Sequence, residues 1–322
     1  MSSTKSLAQR ETRITSGHRA CAGCLQVVAL RQALQAIEEP VVVVSATGCM
    51  EVITTIFPYS AWNVPYLHNA FENAASTLSG VEAAYQALRK RRDIPDRPIK
   101  FVAVAGDGGS YDIGLQALSG ALERGHDFLF LCGDNQGYMN TGVQRSSATP
   151  LGAWTSTTPD GKVRHGKLRP RKDLTEIVVA HSVPYAAQAC ISRWKDYVRK
   201  VEKAIHTPGP TFINVLSPCP LGWKFPPEKG LEVSELAVDT CSWPLYEVEN
   251  GRYRLSYRPR EKRPVTDWTD LQGRFRHLRD PGNEGLAEAL QEQVDRRWEN
   301  LVQRCSHSAR PSPAQSERAL RG

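Results

Sequence analysis

The chain has 322 residues, of which 40% are hydrophobic and 23% are charged, and its formal net charge is +7 at pH 7. This composition excludes a wholly disordered or fibrous protein. The longest apolar runs, such as the four valines at 41–44, are far shorter than the roughly 20 residues that a membrane-spanning helix needs. The polar N-terminus lacks the apolar core of a signal peptide. We therefore expect a soluble cytoplasmic protein with no membrane association.

The positive charge is concentrated near the C-terminus, where residues 251–322 carry 15 Lys and Arg against 10 Asp and Glu. No zinc-finger spacing, aromatic RNA platform or basic heptad region accompanies this excess, so we expect no nucleic-acid partner. A solvated basic tail, or a patch that faces an acidic protein partner, is the simpler interpretation.

The predicted elements alternate between strands and helices. After an N-terminal arm at residues 1–16, apolar periodicity and short β-branched runs predict, in chain order, a helix from Leu25 to about 39, a strand at 41–46, a helix at 69–91, a strand at 100–105, a helix at 113–124 and a strand at 128–132. A long polar loop at 143–171 precedes a helix at 173–180, a strand at 185–191, a helix at 194–205 and a strand at 211–216. This alternation predicts an α/β fold with a mostly parallel, doubly wound sheet and helices on both faces.

The pattern loosens after residue 220. We expect the main domain to span residues 17–220 and a C-terminal extension, residues 221–304, to pack on that domain or on a partner subunit. The extension contains a predicted hairpin around Asn250 and Gly251 and a helix near 283–302. Residues 305–322 are predicted to be disordered.

Two polar turns follow neighbouring strands of the predicted sheet. Gly106-Asp107-Gly108-Gly109 ends one strand, and Asp134-Asn135 ends the next. Ligands of doubly wound sheets bind beyond the carboxyl ends of the strands, so Asp107 and Asn135 should converge. Carboxylate and amide oxygens suit Mg²⁺, which takes its remaining ligands from phosphates and water, and glycines let the backbone approach a phosphate closely. The spacing fits a thiamine diphosphate motif.

Four of the eight cysteines lie in glycine- or proline-marked segments. Cys21 and Cys24 form a Cys-x-x-Cys turn, whereas Cys49 and Cys219 each follow a predicted strand that ends in the same crevice. Four thiolates near a diphosphate suit an iron–sulfur cluster or Zn²⁺. On the residues alone, a cluster, a zinc site and ordinary structural thiols all remain open.

Several co-linear motifs together resemble the beta-subunit family of pyruvate:ferredoxin oxidoreductases. They are GHRACAGC at 17–24, TGCMEV at 47–52, HNAFENAA at 68–75, GDGG at 106–109, DNQGYMNTGVQRS at 134–146, ATPLGAWTSTTP at 148–159 and PCPLGW at 218–223. The resemblance covers about residues 15–280. It implies the thiamine diphosphate-binding fold, with thiamine diphosphate, Mg²⁺ and one [4Fe–4S] cluster as cofactors.

The resemblance also implies roles for individual residues. Asp107, Asn135 and the Gly137 carbonyl would ligate Mg²⁺, and Cys21, Cys24, Cys49 and Cys219 would bind the cluster. Asn140 would lie near the reactive carbon of the coenzyme. The remaining cofactor contacts would come from Gln26, Cys49, Gly106, Gly108, Gly109, Gln136, Tyr138 and Met139.

The family places the activating glutamate on a partner chain, so the resemblance implies a catalytically incomplete subunit. The expected partners are an alpha subunit, gamma and delta subunits, and ferredoxin. The expected reaction converts pyruvate and CoA to acetyl-CoA and CO₂ while ferredoxin is reduced. Another 2-oxoacid (2-oxoisovalerate, phenylglyoxylate or oxalate) remains open as the substrate. A non-catalytic chain of the same fold with a structural zinc site is the alternative.

Overall fold

A single mixed sheet runs through the computed structural model, which describes residues 4–161 and 165–308. Within these residues the strands are β1 Val41–Ala46, β2 Tyr66–Asn69, β3 Lys100–Gly106, β4 Leu129–Asp134, β5 Tyr185–Cys190, β6 Thr211–Leu216, β7 Tyr246–Glu249 and β8 Arg252–Leu255. Their order in the sheet is β2-β1-β3-β4-β6-β5-β7-β8. The first six strands in this order pair in parallel, and the β7–β8 hairpin adds an antiparallel edge. The predicted mostly parallel sheet is confirmed.

The helices connect the strands and extend beyond them. They are α1 Thr4–Gln9, α2 Leu25–Ala36, α3 Cys49–Val52, α4 Ala74–Lys90, α5 Leu115–Glu123, α6 Leu174–Val179, α7 Trp194–His206, α8 Pro220–Trp223, α9 Gly230–Asp239, α10 Val265–Thr269 and α11 Glu284–Ser308. A π-helical turn, Gly108–Asp112, lies between β3 and α5. In the part of the chain that the structure describes, no helix has both the length and the apolar character needed to cross a membrane.

Helices cover both faces of the sheet because consecutive strand residues point to opposite sides. Val43 packs in the core beneath α2 and α7, whereas its neighbour Val44 packs beneath α4, α5 and α6. The same alternation places Ile213 on the first face and Phe212 on the second. Burial on both faces explains why these strands read as continuous apolar runs in the sequence.

The N-terminal segment is anchored to the domain by apolar contacts. Leu7 of α1 and Ile14 are buried in the same core cluster as α2, and Ile14 forms a backbone bridge with Trp62. Residues 1–3 of the predicted arm lie outside the described residues.

The C-terminal extension shares a hydrophobic core with the main domain. Trp223, Trp243 and Trp268 pack in one buried cluster with Cys190 of β5 and Leu216 of β6. Helix α9, which the sequence analysis missed, belongs to this cluster. Helix α11 continues through residues 305–308, the start of the predicted disordered tail. Residues 309–322 lie outside the described residues.

The helix predicted at 69–91 begins later than expected, at Ala74. The short strand β2 ends at Asn69, where we predicted the start of that helix. It was missed because it is a four-residue edge strand with exposed Leu67 and His68 in its middle. Such a strand has no buried apolar run to mark it.

Candidate functional site

A cleft of about 670 Å³, partly open to solvent, lies at the carboxyl ends of β1, β3 and β4. This edge of a parallel sheet is the usual ligand position in doubly wound folds. The cleft is lined by Gln26, Ala46, Thr47, Gly48, Cys49, Met50, Phe71, Gly106, Asp107, Gly108, Gly109, Asn135, Gly137, Tyr138, Met139, Asn140 and Thr141. Eleven of the twelve residues predicted to contact the coenzyme are therefore together in one cleft.

The glycine-rich turn after β3 leaves no room for side chains. A Cβ on Gly108 would lie 2.5 Å from the ring of Tyr138, and a Cβ on Gly114 would lie 1.9 Å from the carbonyl oxygen of Gly109. The intervening turn is π-helical, with the Ile113 amide donating to the Gly108 carbonyl at 3.2 Å. Single π-helical turns are frequent at functional sites. This turn brings bare backbone to the wall of the cleft, where a phosphate can approach it closely.

A carboxylate, a side-chain amide and a backbone carbonyl from two turns meet at the base of the cleft. In one orientation of its amide, the Asn135 side-chain oxygen lies 2.8 Å from the Gly137 carbonyl oxygen and 2.8 Å from Asp107 Oδ1. Rotating the amide by 180° would replace both contacts by hydrogen bonds from its nitrogen, while its oxygen would accept from Gln26 Nε2 at 3.0 Å. The arrangement suits either a cation among three oxygens or an amide that donates in the cation's place.

Asp107 is a buried carboxylate, with only 1% of its surface exposed. Ser146 Oγ donates to its Oδ2 at 2.5 Å, and the backbone N–H of Asn135 donates to its Oδ1 at 3.2 Å. Burial, followed by the nearby Asp134 carboxylate, raises the pKa of Asp107 well above its ordinary value. A bound cation would compensate the negative charge that the protein interior disfavours.

A hydrogen-bond network behind the cleft holds the second turn in place. Asp134 accepts from Tyr111 at 2.6 Å and from Arg171 at 2.8 Å, and the Gln136 amide donates to its other oxygen at 3.0 Å. Asn214 of β6 donates to the Tyr111 hydroxyl at 2.6 Å. Of these residues, sequence analysis named only Asp134 and Gln136, because Tyr111, Arg171 and Asn214 lie outside any recognisable spacing.

Gln136 is the one predicted coenzyme contact that does not line the cleft. Its backbone has a positive φ of 64°, and its side chain is buried away from the opening. The side-chain oxygen accepts from Arg274 Nη2 at 2.7 Å, and the backbone carbonyl accepts from Thr149 at 2.8 Å. Gln136 thus stabilises the turn, whereas its neighbours Asn135 and Gly137 line the cleft.

Asn140 and Cys49 meet at the open side of the cleft. Asn140 is exposed, and it lines the cleft together with Cys49. Burial, followed by the neighbouring thiols of Cys219 and Cys24, raises the pKa of Cys49 to about 12. Cys49 therefore belongs both to the cleft and to the cysteine group beside it.

The four predicted cysteine ligands are free thiols and come from three different segments. Cys21 is exposed, and the other three are half-buried. Cys219 accepts a hydrogen bond from the Gly222 amide at 3.3 Å. Among the described residues, no three or more His, Cys, Asp or Glu side chains form a group of the kind that holds a single metal ion. In a cubane cluster each thiolate binds a different iron, so its sulfur atoms lie farther apart than the ligands of one ion.

The cleft also contains residues for which no coenzyme contact was predicted. Thr47, Gly48 and Met50 follow β1, and Phe71 follows β2. The motifs that carry the resemblance include all four, but no chemical signal in the sequence pointed to them. Their placement at the ends of neighbouring strands is the signal that the sheet topology would have supplied.

Comparisons with known proteins agree with this geometry. A family model described as thiamine pyrophosphate enzyme, C-terminal TPP binding domain, matches residues 46–215, more than half of the chain. A solved structure of 2-oxoglutarate:ferredoxin oxidoreductase from Magnetococcus marinus with 2-oxoglutarate, coenzyme A and succinyl-CoA bound aligns with a TM-score of 0.54 at 19% identity. The alignment covers 65% of this chain and 67% of that chain. This likeness supports the thiamine diphosphate-binding fold.

Two curated relatives are much closer in sequence. Pyruvate synthase subunit PorB of Thermotoga maritima is 51% identical over 92% of this chain and 95% of its own length. Pyruvate synthase subunit PorB of Methanocaldococcus jannaschii is 50% identical over 88% of this chain and 95% of its own length. The chain therefore belongs to the PorB family, the beta subunits of the thiamine diphosphate-dependent 2-oxoacid:ferredoxin oxidoreductases.

Proposed function

We propose that this chain binds thiamine diphosphate, Mg²⁺ and one [4Fe–4S] cluster in an oxidoreductase that acts on pyruvate. The complete complex converts pyruvate, CoA and two oxidised ferredoxins to acetyl-CoA, CO₂, a proton and two reduced ferredoxins. Pyruvate is the preferred substrate because both curated relatives named above are pyruvate synthase subunits.

The group of three oxygens carries the proposal. Octahedral Mg²⁺ binds oxygen at about 2.0–2.1 Å, so adjacent ligand oxygens lie about 2.9 Å apart. When the Asn135 amide oxygen faces Asp107 Oδ1 and the Gly137 carbonyl oxygen, its 2.8 Å distances to them match this separation, whereas the opposite orientation donates hydrogen bonds to the same two atoms. Oxygens this close repel one another unless a cation or a hydrogen lies between them. These residues therefore fit Mg²⁺, with diphosphate and water as its remaining ligands.

When bound, thiamine diphosphate supplies the electron sink for cleavage of a 2-oxoacid. The residues of this chain bind and orient it. Gly108 and Gly109 provide a bare wall for the diphosphate, and Tyr138 and Met139 line the apolar part of the cleft. Asn140 lies at the open side, where its amide can donate a hydrogen bond to the reacting end of a substrate.

A cluster bound by the cysteine group would accept the electrons released when the 2-oxoacid is oxidised. We assign Cys21, Cys24, Cys49 and Cys219 as the cluster ligands. The mutual electrostatic influence of their thiols supports this assignment, since each of the other three contributes to the raised pKa of Cys49. Cys49 also lines the coenzyme cleft, so a cluster on these thiols adjoins the coenzyme.

The cleft is incomplete as a catalytic site. Among the described residues that line it, Asp107 is the only carboxylate, and no glutamate is present. Thiamine enzymes need a glutamate to activate the coenzyme, so a partner chain must supply it. We therefore propose assembly with an alpha subunit, with gamma and delta subunits, and with ferredoxin as acceptor, in the reducing cytoplasm where such clusters are maintained.

Anaerobic co-purification with its neighbouring subunits tests the proposal. The complex should retain thiamine diphosphate and Mg²⁺, contain about four irons on this chain, and reduce a viologen dye in a CoA-dependent manner with pyruvate. Faster reduction of the dye with 2-oxoisovalerate, phenylglyoxylate or oxalate would identify that compound, and not pyruvate, as the preferred substrate. A colourless, zinc-loaded and inactive complex would contradict the proposal and favour a non-catalytic chain.

A further inference from the structure

Arg274 is a buried cation whose side-chain hydrogen bonds go to neutral acceptors. Its side chain is 1% exposed, in the core of the C-terminal extension. Within the part of the chain that the structure describes, no carboxylate lies within the 4.0 Å of an ion pair with its guanidinium. Its Nε donates to Gln272 at 2.9 Å and its Nη2 to Gln136 at 2.7 Å, and both acceptors are neutral. A buried charge without a counter-charge is costly, so this one requires an explanation.

The guanidinium lies against the loop that carries Cys219. It stacks on the ring of Trp223, with 3.7 Å from Cζ to the ring centroid. The Trp223 amide donates to the Cys219 carbonyl at 2.9 Å, and the neighbouring Gly273 amide donates to the Lys224 carbonyl at 3.0 Å. The segment that carries Arg274 therefore runs along the turn that follows Cys219. Of the acidic groups that influence Arg274 electrostatically, the Cys219 thiol has the largest effect.

We propose that Arg274 is the buried counter-cation of the iron–sulfur cluster and raises its reduction potential. The inference rests on the proposed function, because it requires a cluster on Cys219. Four thiolates give such a cluster a net negative charge, and accepting one electron makes it more negative. A cation that is held nearby in a water-poor interior favours the reduced form. Arg274 is thus a positioning and electrostatic residue that acts through the cluster.

The test is a redox titration, monitored by electron paramagnetic resonance, of the anaerobically purified complex. The signal of this chain is identified as the one that is missing from the Cys24→Ser complex. Arg274→Gln removes the buried charge. Arg279→Gln is the matched control, since it removes the same charge from a side chain that is 55% exposed to solvent.

Arg274→Gln should make reduction of the cluster at least about tenfold less favourable, a shift of about 59 mV to more negative potential for one electron. Arg279→Gln should leave the potential unchanged, because solvent screens its charge. Gln136→Glu places a carboxylate against the guanidinium and should also lower the potential, without removing Arg274 from the core. This second variant decides the question if Arg274→Gln fails to assemble.

The proposal is overturned if the variants contain about four irons on this chain and keep the wild-type potential. It is also overturned if Arg279→Gln shifts the potential as much as Arg274→Gln does. Absence of iron from the wild-type complex would instead overturn the proposed function itself. Iron content therefore separates the failure of one proposal from the failure of the other.

Discussion

Replacing Asp107 by Asn should stabilise the cofactor-free chain and weaken its binding of Mg²⁺ and thiamine diphosphate. Without a cation, burial and the nearby Asp134 carboxylate disfavour the charged form of Asp107, and this cost destabilises the fold. An uncompensated buried polar group costs about 1–3 kcal/mol of desolvation, and a neutral replacement of a buried charge removes part of that cost. Asn keeps the size of the side chain and can still accept from Ser146. We therefore expect the cofactor-free chain to gain about 1–3 kcal/mol.

The expected change in melting temperature follows from the length of the chain. At about 2.1 cal/mol/K per residue, the unfolding entropy of 322 residues is about 0.7 kcal/mol/K, so the stabilisation corresponds to about 1.5–4.5 °C. The assay is a thermal melt of the complex after chelation of Mg²⁺ and removal of thiamine diphosphate. Adding both back should raise the melting temperature of the wild type and leave Asp107→Asn unchanged, because the variant has lost a charged ligand.

Asp96→Asn is a suitable control, because the Asp96 side chain is 78% exposed and belongs to no predicted ligand set. It should leave both the cofactor-free and the cofactor-bound melting temperatures unchanged. A lower melting temperature for cofactor-free Asp107→Asn, or full stabilisation of that variant by Mg²⁺ and thiamine diphosphate, would refute the reasoning.

Gly114→Ala should destabilise the chain by about 1–3 kcal/mol or more and abolish thiamine diphosphate retention, because its Cβ would meet the Gly109 carbonyl at 1.9 Å. Gly80→Ala, in open helical space, should instead be stabilising in the same melts, and equal effects would contradict the geometry. Burial lowers the pKa of Lys167 to about 7. The unfolded chain therefore binds more protons between about pH 7 and 10.5, so wild-type stability should rise with pH over this window relative to Lys167→Met, by at most about 1.4 kcal/mol per pH unit. Parallel stability–pH curves for the two proteins would exclude this effect. Cys219→Ser should lower the iron content measured by metal analysis while thiamine diphosphate is retained, and an unchanged iron content would remove Cys219 from the ligand set.

The parts of the fold that are buried on both faces could be predicted from the sequence. Strands β1, β3, β4, β5 and β6 are mostly apolar runs, and motifs at the ends of β1, β3 and β4 mark the cleft. The edge strand β2 and helix α9 could not be predicted in this way, because neither carries a distinctive run or cap. Their positions depend on contacts with distant segments, which local patterns do not encode.

Part of the site could likewise be predicted from the sequence, and part of it depends on contacts between distant segments. The positions of Asp107, Asn135 and Gly137 follow from strand topology, since neighbouring parallel strands end at one edge. The role of Gln136 does not, because its side chain turns toward Arg274, 138 positions away in the sequence. Likewise, the π-helical turn depends on a steric limit at Gly114 that only the folded backbone reveals.

Helix α2 connects the Cys21–Cys24 turn to the strand end that precedes the Asp134-Asn135 turn. Its first residue directly follows Cys24, and one residue later Gln26 donates to the Gly133 carbonyl at 2.8 Å, just before the Asp134-Asn135 turn. The start of this helix thus contacts both the cysteine turn and the segment that leads into the Asp134-Asn135 turn. If the proposed function holds, the distance between coenzyme and cluster is set within this polypeptide, and a docking subunit can rearrange the mouth of the cleft without changing the distance of electron transfer.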